Sequence, residues 1–311
     1  MTDRVKEGVT EAVTDDRAAG TEDGTAQGVA TGLARRRARP VGRSGPVIRW
    51  TLRLIAVGYV LALVGLPVVT VCRSTFSHGW APFAQALGNP DLLSAAELGV
   101  GVAAISVLVN TVFGVGIAIL LVRYRFPGRR LLDAAIDLPV SISPVVVGVA
   151  LILVYGRTGW FGGWLERHGI QIIFATPALV LATVIVALPL VVREVVPVLA
   201  EAGTDQDQAA QSLGANGLQR FARITLPTIR WALAYGVVLS LARSLGEFGA
   251  VRVVSGSVAG QSQTLTLFVN ANYQEFGPEA EQAAFTAAFL LMLASVAFIV
   301  VIAWLRPKEH S

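Results

Sequence analysis

The chain predicts an all-α polytopic membrane protein with six spanning helices and both termini in the cytoplasm. Composition is the first reason. Of 311 residues, 54% are hydrophobic and 15% charged, whereas soluble domains carry about a quarter charged residues. The second is that six apolar runs each reach the roughly 20 residues needed to cross a bilayer as a helix. The third is that arginines gather in alternate loops.

In chain order, residues 1 to about 33 are rich in Thr, Ala, Gly, Asp and Glu without an apolar period. That composition predicts a disordered cytoplasmic tail, expected over 1–48. Its end carries a basic block, Arg35, Arg36, Arg37, Arg39 and Arg43, continued by Arg49 and Arg53. The first apolar run, residues 50–71, comes too late and is too long for a cleaved signal peptide. Runs at 95–122, 131–155, 176–196, 229–251 and 283–304 follow, so the membrane domain is expected over 49–305, with a short tail at 306–311. Pro139, Pro144 and Pro189 fall within the third and fourth runs. Membrane helices tolerate proline because neighbouring groups satisfy the freed backbone.

Orientation follows from the basic residues. The N-terminal block, Arg123, Arg125, Arg129 and Arg130, then Arg220 and Arg223, then Arg306 and Lys308 all fall on one side of a six-span arrangement. The positive-inside rule places that side in the cytoplasm. The same distribution explains the pI near 9.6 and net charge of +4. Arginines that flank apolar runs orient a membrane protein and do not form a nucleic-acid-binding face.

Several chemistries lack their residues. Cys72 is the single cysteine, so no intrachain disulfide forms. His78, His168 and His310 lie outside the apolar runs and are not clustered for a metal. An intramembrane hydrolase would need a nucleophile with a base, and those roles cannot be filled. No G-x₄-G-K-[ST] string occurs, so this chain is expected not to hydrolyse ATP itself; no cofactor is expected to be bound by it.

The most informative stretch is the polar loop at about 201–227. Ala209, Ala210, Gly214, Ile224, Leu226 and Pro227 give the spacing A-A-x₃-G-x₉-I-x-L-P. Thr204 and Asp207 have capping-box spacing, predicting a short helix from Asp205 that puts Ala209, Ala210 and Leu213 on one small apolar face. Gly214 allows close backbone approach or a helix C-cap, and Pro227 suits the start of the fifth span. An ordinary amphipathic connector would share part of this pattern.

The spacing resembles the loop that permease subunits of bacterial ABC importers present to their ATPase. Residues 138–148 (LPVSISPVVVG), 188–199 (LPLVVREVVPVL) and 242–251 (ARSLGEFGAV) narrow the likeness. With Ser212-Leu213-Gly214-Ala215 they resemble the sulfate/molybdate group of ABC permeases, above all the CysW-type subunits of sulfate/thiosulfate importers. The resemblance covers about residues 49–304. It implies a type I importer permease fold and a multi-pass protein of the bacterial cytoplasmic membrane. Its implied partners are two ATPase subunits that use ATP and Mg, a related T-type permease and an extracytoplasmic sulfate-binding protein. The glutamate usual before the Ala-Ala pair is Gln208 here, so any salt bridge it offers the ATPase is lost or moved to Asp207 or Asp205. A molybdate or tungstate permease is the alternative within the group, and an ion-coupled secondary anion transporter using Glu247 is a further one.

Two charges stand inside the fifth run. Arg243 and Glu247 are four apart, which puts them on one helix face. Buried ionisable residues in membranes pair with each other or face a water-filled path. Either a neutral packing pair or an anion path restrained by Glu247 fits the spacing. Ser141, Ser143, Ser240 and Ser244 are candidate soft donors along such a path, or small residues for helix contact. Asp133 and Asp137 are expected to pair with Arg129 or Arg130. The polar segment at 260–267 suits an outer gate, a binding-protein contact or a solvated loop.

Overall fold

The computed structural model describes residues 46–305. The expected N-terminal tail and most of its basic block, like the C-terminal tail, lie outside the described residues. Every regular element among the described residues is helical. In order these are α1 (Pro46–Val60), α2 (Leu66–Phe76), α3 (Trp80–Leu87), α4 (Pro90–Arg123), α5 (Arg129–Ser141), α6 (Pro144–Tyr155), α7 (Gly162–Arg167) and α8 (Thr176–Ala202). Then come α9 (Asp205–Ser212), α10 (Gly217–Arg220), α11 (Leu226–Leu245), α12 (Gly249–Val254), α13 (Leu265–Gln274) and α14 (Pro278–Leu305).

Among the described residues, five helical stretches are long and apolar enough to cross a membrane, and a bent pair, taken as one span, makes a sixth. The pair is a correction to the sequence reading. The third run breaks between Ser141 and Pro144, where α5 and α6 meet at 115°. Proline disfavours helical dihedrals in the residue before it, and Ser143 accordingly has ψ 134°. The fifth run also stops early, because α11 ends at Leu245 and α12 is a separate short helix.

Its start lies earlier than the proline suggests. Helix runs without interruption from Gly217, with a π-turn over Phe221–Thr225 just before Leu226-Pro227. Proline removes an i→i−4 hydrogen bond and presses its ring on that carbonyl, and widening the turn relieves both. The π-turn Leu61–Gly65 stands in the same way before Leu66-Pro67.

The centre is a three-helix body of α4, α8 and α11. Val191, Val195, Leu199 and Ile229 are fully buried there. A Cβ on Gly114 of α4 would lie 2.9 Å from Val191 Cγ1, and one on Gly236 of α11 would lie 3.2 Å from Val191 Cα. Two glycines thus seat α4 and α11 against one residue of α8, the small-residue contact that membrane helices use for close approach. A second core joins α4, α6, α8 and α12 through Val102, Leu151, Leu179, Ala182, Val251 and Val254. Where apolar side chains face outward, as Leu108, Val112 and Phe113 do on α4, lipid or a partner replaces water as their surroundings.

Candidate functional site

The loop between α8 and α11 folds into two short helices. Gly203 lets the chain leave α8 with φ 66° and ψ −161°, a region open essentially to glycine alone. The predicted capping box does not form, since Thr204 makes no side-chain cap. Its hydroxyl accepts from Gln208 Nε2 at 3.1 Å, and Asp207 turns inward to pair with Arg123 at the end of α4. Asp207 is therefore engaged within the chain and does not stand in for the missing glutamate, whereas Asp205 is exposed.

At the other end α9 closes in a Schellman motif. Gly214 N–H donates to Gln211 O at 2.9 Å and Ala215 N–H to Ala210 O at 3.0 Å. Gly214 has φ 84° to make that turn. Next, Asn216 and Gln219 form a reciprocal capping box on α10, at 2.8 and 3.0 Å. The result is a hydrogen-bonded projection that presents two leucines outward: Leu213 is 89% and Leu218 76% exposed. Ala209 is exposed and Ala210 half-buried, while Ile224 is half-buried and Leu226 and Pro227 exposed at the return.

A second constellation lies where the two broken spans meet. α6 packs on α12: a Cβ on Gly249 would lie 3.1 Å from Pro144 Cβ, and one on Gly148 would lie 2.7 Å from Val253 Cβ and 2.8 Å from Ala250 O. The two breaks thus face each other across glycines. Irregular backbone at membrane depth occurs where protein buries it or where it lines a cavity, and discontinuous helices of this kind form substrate sites in many transporters.

Glu247 holds one break in place. It lies beyond the end of α11, so it does not share a helix face with Arg243 as the spacing predicts. The pair forms nonetheless, with Arg243 Nη1 2.7 Å from Glu247 Oε2. The contact is ionic and lacks hydrogen-bond geometry. The other carboxylate oxygen accepts from Ala250 N–H at 2.8 Å, which caps α12. Its main-chain carbonyl accepts from Thr266 Oγ1 at 2.9 Å. The Glu247 side chain is 2% exposed and that of Arg243 38%. Ser244, buried beside it, has a hydroxyl with no hydrogen-bond partner; together with Thr183 and Thr264 they line one small cleft. Ser240 is also buried and meets Asn110 Nδ2 at 3.5 Å. Ser141 and Ser143 flank the other break and are exposed.

Two further expectations change. Asp133 and Asp137 bind Arg193 of α8, at 2.8 and 2.5 Å, instead of Arg129 or Arg130. In the outer segment, Ser262, Gln263 and Thr264 are buried, with Ser255 Oγ donating to Ser262 O at 2.5 Å. That segment is a folded plug leading into α13. Sequence reasoning placed Arg123 only among the orienting arginines and did not single out Asn110 or Thr183. Asn110, lying mid-run in an apolar span, was a polar signal that could have been followed.

This architecture is that of the membrane-spanning subunits of ABC importers. A chain of the crystal structure of a bacterial alginate ABC transporter, solved with an alginate-pentasaccharide-bound periplasmic protein, superposes with TM-score 0.67. It does so at 16% identity over 83% of this chain and 92% of that one. Residues 110–310 match the profile of the binding-protein-dependent transport system inner membrane component, and the chain belongs to that family. It is 47% identical to the sulfate transport system permease protein CysW of Synechocystis sp., over 81% of this chain and 91% of that protein. Against the sulfate transport system permease protein CysT of Escherichia coli K12, identity is 36% over 76% and 87%.

Proposed function

We propose that this chain is the W-type permease subunit of an ATP-driven sulfate importer, with thiosulfate as a related cargo. The 47% identity to a CysW protein across 81% of this chain and 91% of that protein carries the reading, and the lower identity to a CysT protein favours the W-type subunit. A T-type permease completes the pathway from the other side. Two ATPase subunits sit in the cytoplasm and use ATP and Mg, and an extracytoplasmic binding protein delivers the anion. Both termini are cytoplasmic.

The site geometry supports a mechanism of alternating access. The α9–α10 projection, with exposed Leu213 and Leu218, settles into a groove of the ATPase by shape. Gln208 brings no charge to that contact. Within the membrane, a bare guanidinium would hold a dianion too tightly to pass it, because conduction needs binding weak enough for release. Glu247 neutralises Arg243, and Ser244, Ser141 and Ser143 offer weaker donors beside the two breaks. When α6 and α12 shift against each other, this lining changes the side to which it opens.

The test is ATP-dependent uptake of labelled sulfate into proteoliposomes holding the ATPase, the T-type permease and the binding protein. Uptake that withstands equimolar molybdate is the expected result. Uptake of molybdate without sulfate would overturn the substrate, and uptake driven by an ion gradient without ATP would overturn the class.

A further inference from the structure

The coupling helix α9 is tied to the membrane domain by one buried side chain. Of Asp205–Ser212, Asp207 alone is buried. Its carboxylate pairs with Arg123, the last residue of α4, and the two side chains are only 12% and 15% exposed. Asp207 Oδ1 and Arg123 Nε are buried and make no hydrogen bond. Another side-chain tie of α9, Gln211 Oε1 accepting from Arg220 Nη1 at 3.0 Å, is exposed, so the Asp207–Arg123 pair is the buried attachment.

The backbone enters and leaves α9 through glycine. Gly203 and Gly214 both adopt positive φ, at 66° and 84°, and a Cβ at either would meet nothing within 4 Å. Two unobstructed glycines therefore bracket a helix whose buried side-chain anchor is one ion pair. Beyond Arg123, α4 is locked to α8 through Gly114 on Val191, and α8 to α11 through Gly236 on the same residue. A pull on Asp207 thus reaches three spans as one body. Separating such a pair leaves buried charge uncompensated, which makes it stiff under load.

We propose that Arg123 and Asp207 form the strut that carries motion of α9 into the membrane helices, positioning residues for coupling and not contacts of the ATPase. This rests on the reading that α9 meets the ATPase, and the two can fail separately. In the reconstituted importer, Leu213→Asp tests docking alone, by loss of ATPase co-purification. Asp207→Asn and Arg123→Gln test the strut. Both should keep the ATPase bound and hydrolysing, while sulfate moved per ATP falls about tenfold, a typical coupling energy. The exchange Arg123→Asp with Asp207→Arg should recover the ratio. If the exchanged protein does not assemble, Arg123→Lys, which keeps the charge, must retain it. An unchanged ratio in the single variants, or single variants that release the ATPase, would overturn the strut. An unaltered co-purification in Leu213→Asp would overturn docking instead.

Discussion

Gly214 shows how much one residue decides. Its φ of 84° closes the Schellman turn at the end of α9, and no atom of this chain lies within 4 Å of a Cβ built there. The demand is thus conformational and not steric. A left-handed residue other than glycine costs about 1–2 kcal/mol, yet asparagine visits that region readily. Gly214→Asn should support near-normal uptake and Gly214→Val should not, with both present in membranes at wild-type abundance. An inactive but abundant Asn variant would mean that the ATPase touches the backbone there. Gly214 was legible from its spacing, but its reason was not, because a docking surface and a C-cap both favour glycine. Glu247 was legible in the same partial way. Its partner Arg243 followed from the spacing, whereas its bonds to Ala250 and from Thr266 depend on a chain break that spacing does not encode.

Among the elements, α6 and α12 are the pair whose fit matters most. Gly148 presses on Val253 and on the carbonyl of Ala250, and Gly249 on Pro144. A methyl group on Gly148 has backbone on one side and a β-branched side chain on the other, so neither yields cheaply. Overpacking of this kind costs about 1–3 kcal/mol. Gly148→Ala should lower the detergent melting temperature and slow uptake, while Gly163→Ala, a site with nothing within 4 Å, should do neither. Equal melting of the two variants would show that α6 and α12 are loosely held. The break between Ser141 and Pro144 could be suspected from Pro144 itself. Its 115° angle could not, since proline in a membrane helix also produces a modest kink.

For the molecule as a whole, the proposed orientation places the arginine-rich loops in the cytoplasm. Arg123, Arg129 and Arg130 flank one short turn, and Arg220 and Arg223 lie in the α9–α11 connection. With Cys72 replaced by serine, a cysteine at Ser212 of α9 should resist a membrane-impermeant maleimide added to intact cells. A cysteine at Trp160, which is 87% exposed between α6 and α7, should react. The reverse pattern would invert the protein.

Composition and local spacing specify the apolar runs, the gathering of arginines in alternate loops, and the polar loop with its spaced Ala-Ala, Gly and Ile-x-Leu-Pro. Each is a matter of residues close along the chain, where lipid and helix periodicity leave few choices; the Arg243–Glu247 pair is suggested by spacing but forms across the end of α11. Tertiary structure decided that Asp207 reaches Arg123, that Arg193 collects Asp133 and Asp137, and that the two broken spans meet at Pro144 and Gly249. Those partners lie tens of residues apart or more. A buried charge must find an opposite charge, but only the way the helices stack determines which one comes within reach.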